Sequence, residues 1–279
     1  MVMWKLVKSQ CTILMQKKEF ALTFMLILGF IIANHGYNLY TYYGTEKAEM
    51  LTFPEISLLG SNNTFGYFFL KIYPFTLVLP AGLSIAQERL RSIDLLYMYR
   101  IGRKKYYFCK YIAVFVTSFL CFTCPFLLEI LFNITAFPLD VHGNAFGDAV
   151  YGEGYNRICN YTLFSIYYNW PVLYALIMSV YFGLLSAVLA MLPSAISCMY
   201  YKYKAYLLLP VYLLLYLLNV LGAWGISSSN GGKVHFTAMV SWCDFVVHTE
   251  QFIRLFVVCI GIILVSIGMY VHAARKDTI

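Results

Sequence analysis

The chain has 279 residues, of which 61% are hydrophobic and 12% charged, with a mean hydropathy of +0.70. Soluble domains carry about 45–50% apolar and about 25% charged residues, so the solvent of this fold is lipid and a hidden soluble domain is excluded. The net charge of +7 comes from basic clusters between apolar runs, the pattern of an inner surface facing anionic lipid and not of a nucleic-acid interface.

Six apolar runs, at about 20–42, 67–86, 108–134, 169–196, 205–226 and 252–274, have the length a helix needs to cross roughly 30 Å of hydrocarbon. They predict an all-α membrane protein, a single polytopic domain over 1–279. An even count puts both termini on one side. With the N-terminus in the cytosol, Lys5, Lys8, Lys17, Lys18, seven basic residues of 87–110, Lys202, Lys204, Arg275 and Lys276 are inside, fifteen of twenty; Lys47, Lys71, Arg157, Lys233 and Arg254 are outside. The positive-inside rule therefore orients a multi-pass protein of the cell membrane with cytosolic termini.

Residues 1–19 place Trp4, Val7, Cys11, Leu14 and Met15 at helical spacing, with Lys5 and Lys8 off that stripe. This predicts a helix in the inner interface, anchored by Trp4, Lys5 and Lys8. The lysines before an apolar run resemble a signal peptide, but no small-x-small site follows IIANHGYNLY, which predicts a retained first span. His35 has no second His or Cys at ligand spacing and is expected at the outer interface. The following loop, GTEKAEMLTFPEISLLGSNNTFG, is acidic and rich in turn formers.

Pro74 and Pro80 interrupt the second run, where freed carbonyls permit a bend or line a translocation path. Glu129 lies near the outer end of the third run, and an acidic group at membrane depth is a pathway candidate unless it reaches the headgroups or a partner helix. Glu129, Pro74 and Pro80 are thus the candidate pathway residues. The loop 136–168 carries Asp140, His142, Asp148 and Glu153 without a metal-binding constellation and reads as solvated. Gly183, Ser186, Ala187 and Ala190 recur at helical spacing in the fourth run, suited to close helix approach. Cys159 and Cys243 are placed in outer loops, where they can pair; Cys121 and Cys124 lie inside a span, where packing is the expected role. No internal repeat is evident.

Chemistry-bearing motifs are missing: there is no GxxxxGK[ST], GxSxG, HExxH or GxGxxG, and the spans offer one Glu without an Asp or His partner. An intramembrane enzyme is therefore disfavoured and no catalytic residue, metal or cofactor is expected in this chain. A secondary transporter or channel is the alternative, yet mid-span residues are Leu, Ile, Val, Phe, Tyr and Met with charges at the ends, which argues against small-ion coupling.

The largest inner loop, QERLRSIDLLYMYRIGRKKYYFCK at 87–110, has Leu90, Ile93, Leu95, Leu96 and Met98 for an apolar face. Arg89, Arg91 and Asp94 are expected to be available to water, and Gly102 to end the helix. With Glu88 at the inner end of span two, the amphipathic segment to Arg100, the Gly102-Arg103 turn and Lys110 opening span three, the chain resembles the permease subunits of type-2 ATP-binding-cassette exporters. The resemblance implies six spans, cytosolic termini, an N-terminal interfacial helix and a cytosolic coupling helix between spans two and three. It implies that Glu88, Arg89, Arg91, Ser92, Asp94, Arg100, Gly102 and Arg103 contact a separate nucleotide-binding ATPase subunit, which would hold ATP and Mg. It also implies a second permease chain, identical or a sibling. The usual small-residue turn after Glu88 is replaced here by RLRS. Size and aromatic content resemble bacterial permeases of bacteriocin or lantibiotic immunity and antimicrobial-peptide export.

Overall fold

A computed structural model describes residues 2–45, 50–60, 64–90, 92–139, 163–199, 207–224 and 249–275. Arg91, Asp140, His142, Asp148, Glu153, Cys159, Lys202, Lys204 and Cys243 lie outside the described residues. Among the described residues the chain is helical, without a strand. This is the expected solution for an apolar chain, because in hydrocarbon a helix satisfies its backbone donors and acceptors within the segment.

Helices α2 (Lys18–Thr41), α7 (Arg103–Ala136) and α9 (Pro171–Ser197), with Phe256–Arg275 of α11 (Thr249–Arg275), are long and apolar enough to cross a membrane. The remaining helices are α1 (Val2–Met15), α3 (Phe53–Ile56), α4 (Thr64–Val78), α5 (Ser84–Leu90), α6 (Ile93–Ile101), α8 (Phe164–Asn169) and α10 (Leu208–Trp224). The counterparts of the expected second and fifth spans are α4 and α10, of 15 and 17 residues.

The second run is interrupted at only one of its prolines. Helix α4 continues through buried Pro74, whereas the backbone turns at 79–83, around Pro80, before α5 begins. The turn is wedged against α9. A Cβ at Gly82 would lie 2.8 Å from the Val78 carbonyl oxygen and 3.1 Å from Pro193 Cγ, so a side chain does not fit there.

Helix α9 packs most extensively on α7. The contact runs along its small residues, and Gly183 is the point of closest approach: a Cβ there would sit 1.8 Å from Thr123 Oγ1 and 3.3 Å from a ring carbon of Phe119. Small residues are what let helices approach this closely where lipid removes any hydrophobic drive for association. Around this contact Phe69, Tyr73, Phe122, Phe126 and Phe182 are fully buried, with ring centroids 5.0–6.3 Å apart. Edge-to-face and tilted pairs of this kind add about 0.5–1.5 kcal/mol each beyond the area they bury. Tyr73 directs its hydroxyl to Ser186 Oγ at 2.8 Å, so even this polar atom is satisfied inside the aromatic core.

Helix α1 packs along α7 with Val7, Cys11 and Leu14 buried against Cys109, Ala113 and Val114. Trp4, on the same stripe one turn before Val7, is 73% exposed, and Lys5 and Lys8, off the stripe, are exposed too.

Gly183→Ala is expected to lower the melting temperature of the purified protein. Overpacking costs about 1–3 kcal/mol and outweighs the roughly 1 kcal/mol that alanine gains over glycine in a helix. Adding Thr123→Ala should recover part of the loss. Thermal unfolding of both single variants and the double checks this, and an undiminished loss in the double variant would count against the contact.

Candidate functional site

The loop 87–110 is organised around a buried ion pair. Glu88 lies near the end of α5 and Lys110 two turns into α7; both are buried, and Lys110 Nζ donates directly to Glu88 Oε1. Tyr106, one turn before Lys110 on the same face of α7, donates to Glu88 Oε2 at 2.7 Å. Lys17, at the joint between α1 and α2, stands 3.6 Å from Glu88 Oε1. Gln10 of α1 accepts from Lys110 Nζ at 3.2 Å. A second strand of contacts runs alongside: Lys17 donates to Gln87 Oε1 at 3.3 Å, and Gln87 donates to Glu19 Oε1 at 2.6 Å. One carboxylate thus ties α5 to α1, α2 and α7. Burial alone would raise the Glu88 carboxyl, but Lys110, Tyr106 and Lys17 together hold it below its ordinary value.

Arg89, the next residue, makes the other half of the node. Its Nη1 donates to the Cys198 carbonyl just beyond α9, its Nη2 to the Tyr107 hydroxyl at 2.6 Å, and its Nε stands 3.7 Å from Asp94. Asp94 sits in the first turn of α6, where an acidic group also faces the positive end of the helix. Adjacent residues of a seven-residue helix therefore reach α6, α7, the joint between α1 and α2 and the residue just beyond α9.

These contacts correct the expected sidedness. Asp94 is only 6% exposed and Arg89 is half-buried, whereas Leu95 and Leu96 are 58% and 65% exposed, with Leu90, Tyr99 and Arg100 also outside. The physical reason is that the bundle supplies Tyr107, a carbonyl and Lys110 as partners, so the charges turn inward. Nor is there one helix from Glu88 to Arg100: Ser92 takes a left-handed backbone, φ +55°, and separates α5 from α6. Gly102, at φ +87°, closes α6, and Arg103 begins α7 directly, so the helix of the third run starts five residues before the expected 108. Ser92, Gly102, Lys104 and Lys105 are exposed and Arg103 is half-buried. Lys110 is buried, with its ammonium on Glu88 and Gln10.

A cleft of about 490 Å³ opens beside the ion pair, lined by Ile13, Gln16, Lys17, Lys18, Glu19, Gln87, Glu88, Ile93 and Tyr97. Glu129, Pro74 and Pro80 do not line it. At the opposite ends of α2 and α7 a second polar cluster surrounds Glu129, which is buried and accepts the Leu58 N–H at 2.5 Å on Oε1. His35 Nδ1 bonds Asn133 Oδ1 at 2.9 Å, and Asn34 donates to the Ile56 carbonyl at 2.9 Å. Sequence reasoning missed that FPEISLLG, 53–60, folds into the bundle. The signals present were the Thr52-x-x-Glu55 capping box and the apolar Ile56, Leu58 and Leu59.

Among the described residues no group of three or more His, Cys, Asp or Glu side chains is placed to hold a metal ion. Cys11, Cys109, Cys121, Cys124, Cys198 and Cys259 are free. No family model, curated protein or solved structure matches the chain.

Lys110→Met should destabilise the protein by about 3–5 kcal/mol, the cost of stranding one partner of a buried pair, and Glu88→Leu in the same chain should recover much of it. Because the Glu88 value is depressed on folding, its contribution is fully present above the ordinary carboxylate range, roughly pH 4.3, and is lost as pH falls through the lowered value. Unfolding midpoints measured from neutral to acid pH test both, and Glu88→Gln should blunt the acid-side loss.

Proposed function

We propose that this chain is the membrane-spanning permease subunit of an ATP-driven exporter of the type-2 ATP-binding-cassette kind, crossing the plasma membrane six times with both termini in the cytosol. It works with a separate cytosolic nucleotide-binding ATPase, which supplies ATP and Mg chemistry, and with a second permease chain. The cargo is amphiphilic, a peptide or lipid-like molecule moved across or out of the membrane.

The observation that carries the reading is the two-sidedness of 84–101. Its inner side is locked through Glu88 and Arg89 to α1, α2, α7 and the end of α9. Its outer side presents Leu90, Leu95, Leu96 and Tyr99. An element that passes on a push needs both properties: stiff attachment to the helices it moves and a surface for the part that pushes. Tyr and Arg are among the usual energetic anchors of a protein interface, and the leucines beside Tyr99 and Arg100 add apolar area that is buried on contact. The contact with the ATPase accordingly rests on Leu90, Leu95, Leu96, Tyr99 and Arg100, while Glu88, Arg89 and Asp94 transmit.

The chain should co-purify with an ATPase that carries a Walker motif. Leu95→Asp combined with Leu96→Asp should leave membrane insertion intact and weaken that pairing about 30-fold, the effect of losing roughly 2 kcal/mol of anchor. Transport by the chain reconstituted without an ATPase would overturn the reading in favour of a secondary transporter or channel.

A further inference from the structure

The segment 53–60 is bound as a ligand would be. Two polar pairs at i,i+4 spacing face it: Asn34 and Asn38 on α2, Glu129 and Asn133 on α7. The amide nitrogens of Asn34 and Asn38 donate to the one carbonyl of Ile56, at 2.9 and 3.1 Å. Glu129 Oε1 takes the N–H of Leu58, and Asn133 Nδ2 reaches Ser57 Oγ at 3.4 Å. Between these polar contacts Phe53, Ile56, Leu58 and Leu59 are buried among Ile27, Ile31, Phe126 and Ile130. The second carboxyl oxygen, Glu129 Oε2, is buried and takes no hydrogen bond from the segment, so the slot holds hydrogen-bonding capacity its present occupant does not use. A carbonyl and an N–H two residues apart exist in any peptide. Asn34, Asn38 and Glu129 therefore read main chain, with apolar side chains on either side, and Asn133 adds one longer contact to the Ser57 hydroxyl.

We propose that the slot between α2 and α7 is a binding site for the main chain of an apolar peptide, and that residues 53–60 are its tethered occupant, which a free peptide displaces. Calling that peptide the cargo rests on the export reading; the binding itself does not. A segment tethered in the same chain competes at an effective concentration on the order of mM, so a free peptide needs either comparable concentration or a weakened occupant. Gly60 provides the second route: a Cβ there would lie 1.9 Å from the Glu55 carbonyl oxygen, so Gly60→Ala strains the occupant and leaves the four side chains of the slot unaltered.

The test uses the full chain in nanodiscs, without ATPase, and a fluorescent Phe-Pro-Glu-Ile-Ser-Leu-Leu-Gly peptide as probe. Binding to Gly60→Ala should be at least about tenfold tighter than to the unaltered protein. The same peptide N-methylated at its first leucine, which has no N–H for Glu129, should bind about tenfold more weakly, the loss of one buried hydrogen bond. Glu129→Ala should erase the difference between the two peptides. Leu59→Cys, labelled with maleimide and located by mass spectrometry, should become more reactive in Gly60→Ala and when peptide is added. Equal binding of both peptides, or no binding to Gly60→Ala whether or not Leu59→Cys has become reactive, would overturn the proposal. Peptide binding without ATPase co-purification would sink the export reading alone.

Discussion

Taking the Glu88 carboxylate and the Lys110 ammonium out of water costs several kcal/mol per ion, and their attraction offsets this only when the geometry is good and the remaining donors and acceptors are filled. The end of the bundle where α1 joins α2 meets that condition with Tyr106 on the second carboxylate oxygen, Gln10 on the ammonium and Lys17 beside the pair. Each partner belongs to a different part of the chain, so satisfying the pair fixes where α1, α2, α5 and α7 stand relative to one another. A hydrophobic substitute could match its stability but could not specify that register, and a well-attested use of buried polar groups is to specify it.

Hydrocarbon thickness sets the position of the other polar layer. Nineteen residues of α7 separate Lys110 from Glu129, about 28 Å of helix, close to the roughly 30 Å that a span must cover. No charged residue lies between them on α7 or between Glu19 and Asn34 on α2. Lys71 on α4 is the exception, and it is handled as membrane lysines are: exposed at the bundle surface, its ammonium lies 4.4 Å from the Tyr67 ring, one turn nearer the helix start.

The long helices were legible because their signal is one of length and apolarity, which a single sequence carries in full; the four helices long enough to cross a membrane fall inside predicted runs or extend them by a few residues. Gly102 was legible for a similar local reason, since a helix end at positive φ calls for glycine. What could not be read was direction. The pattern of 87–101 is amphipathic, and amphipathicity says that two faces differ without saying which faces the bundle. In water the leucines would turn inward. Here the bundle offers Tyr107, the Cys198 carbonyl and Lys110 to the charges, and these partners come from residues 15 or more positions away. The same limit hid 53–60, whose seat is assembled from Asn34, Asn38, Glu129 and Asn133, two pairs almost a hundred residues apart.

The aromatic core bears on where cargo can travel. Phe69, Tyr73, Phe122, Phe126 and Phe182 fill the centre between α4, α7 and α9, and a passage there would break several ring contacts at once. The outer helices are different in kind: two thirds of the most apolar window of α9 is buried, 67%, against 22% for α2 and for α11. Those two helices present most of their apolar surface outward from the described bundle. On the export reading proposed above, an amphiphilic cargo would move along a surface of this bundle and not through it. Helix α2 is also one wall of the slot that holds 53–60, so a cargo following that surface would reach Asn34 and Asn38 at its end.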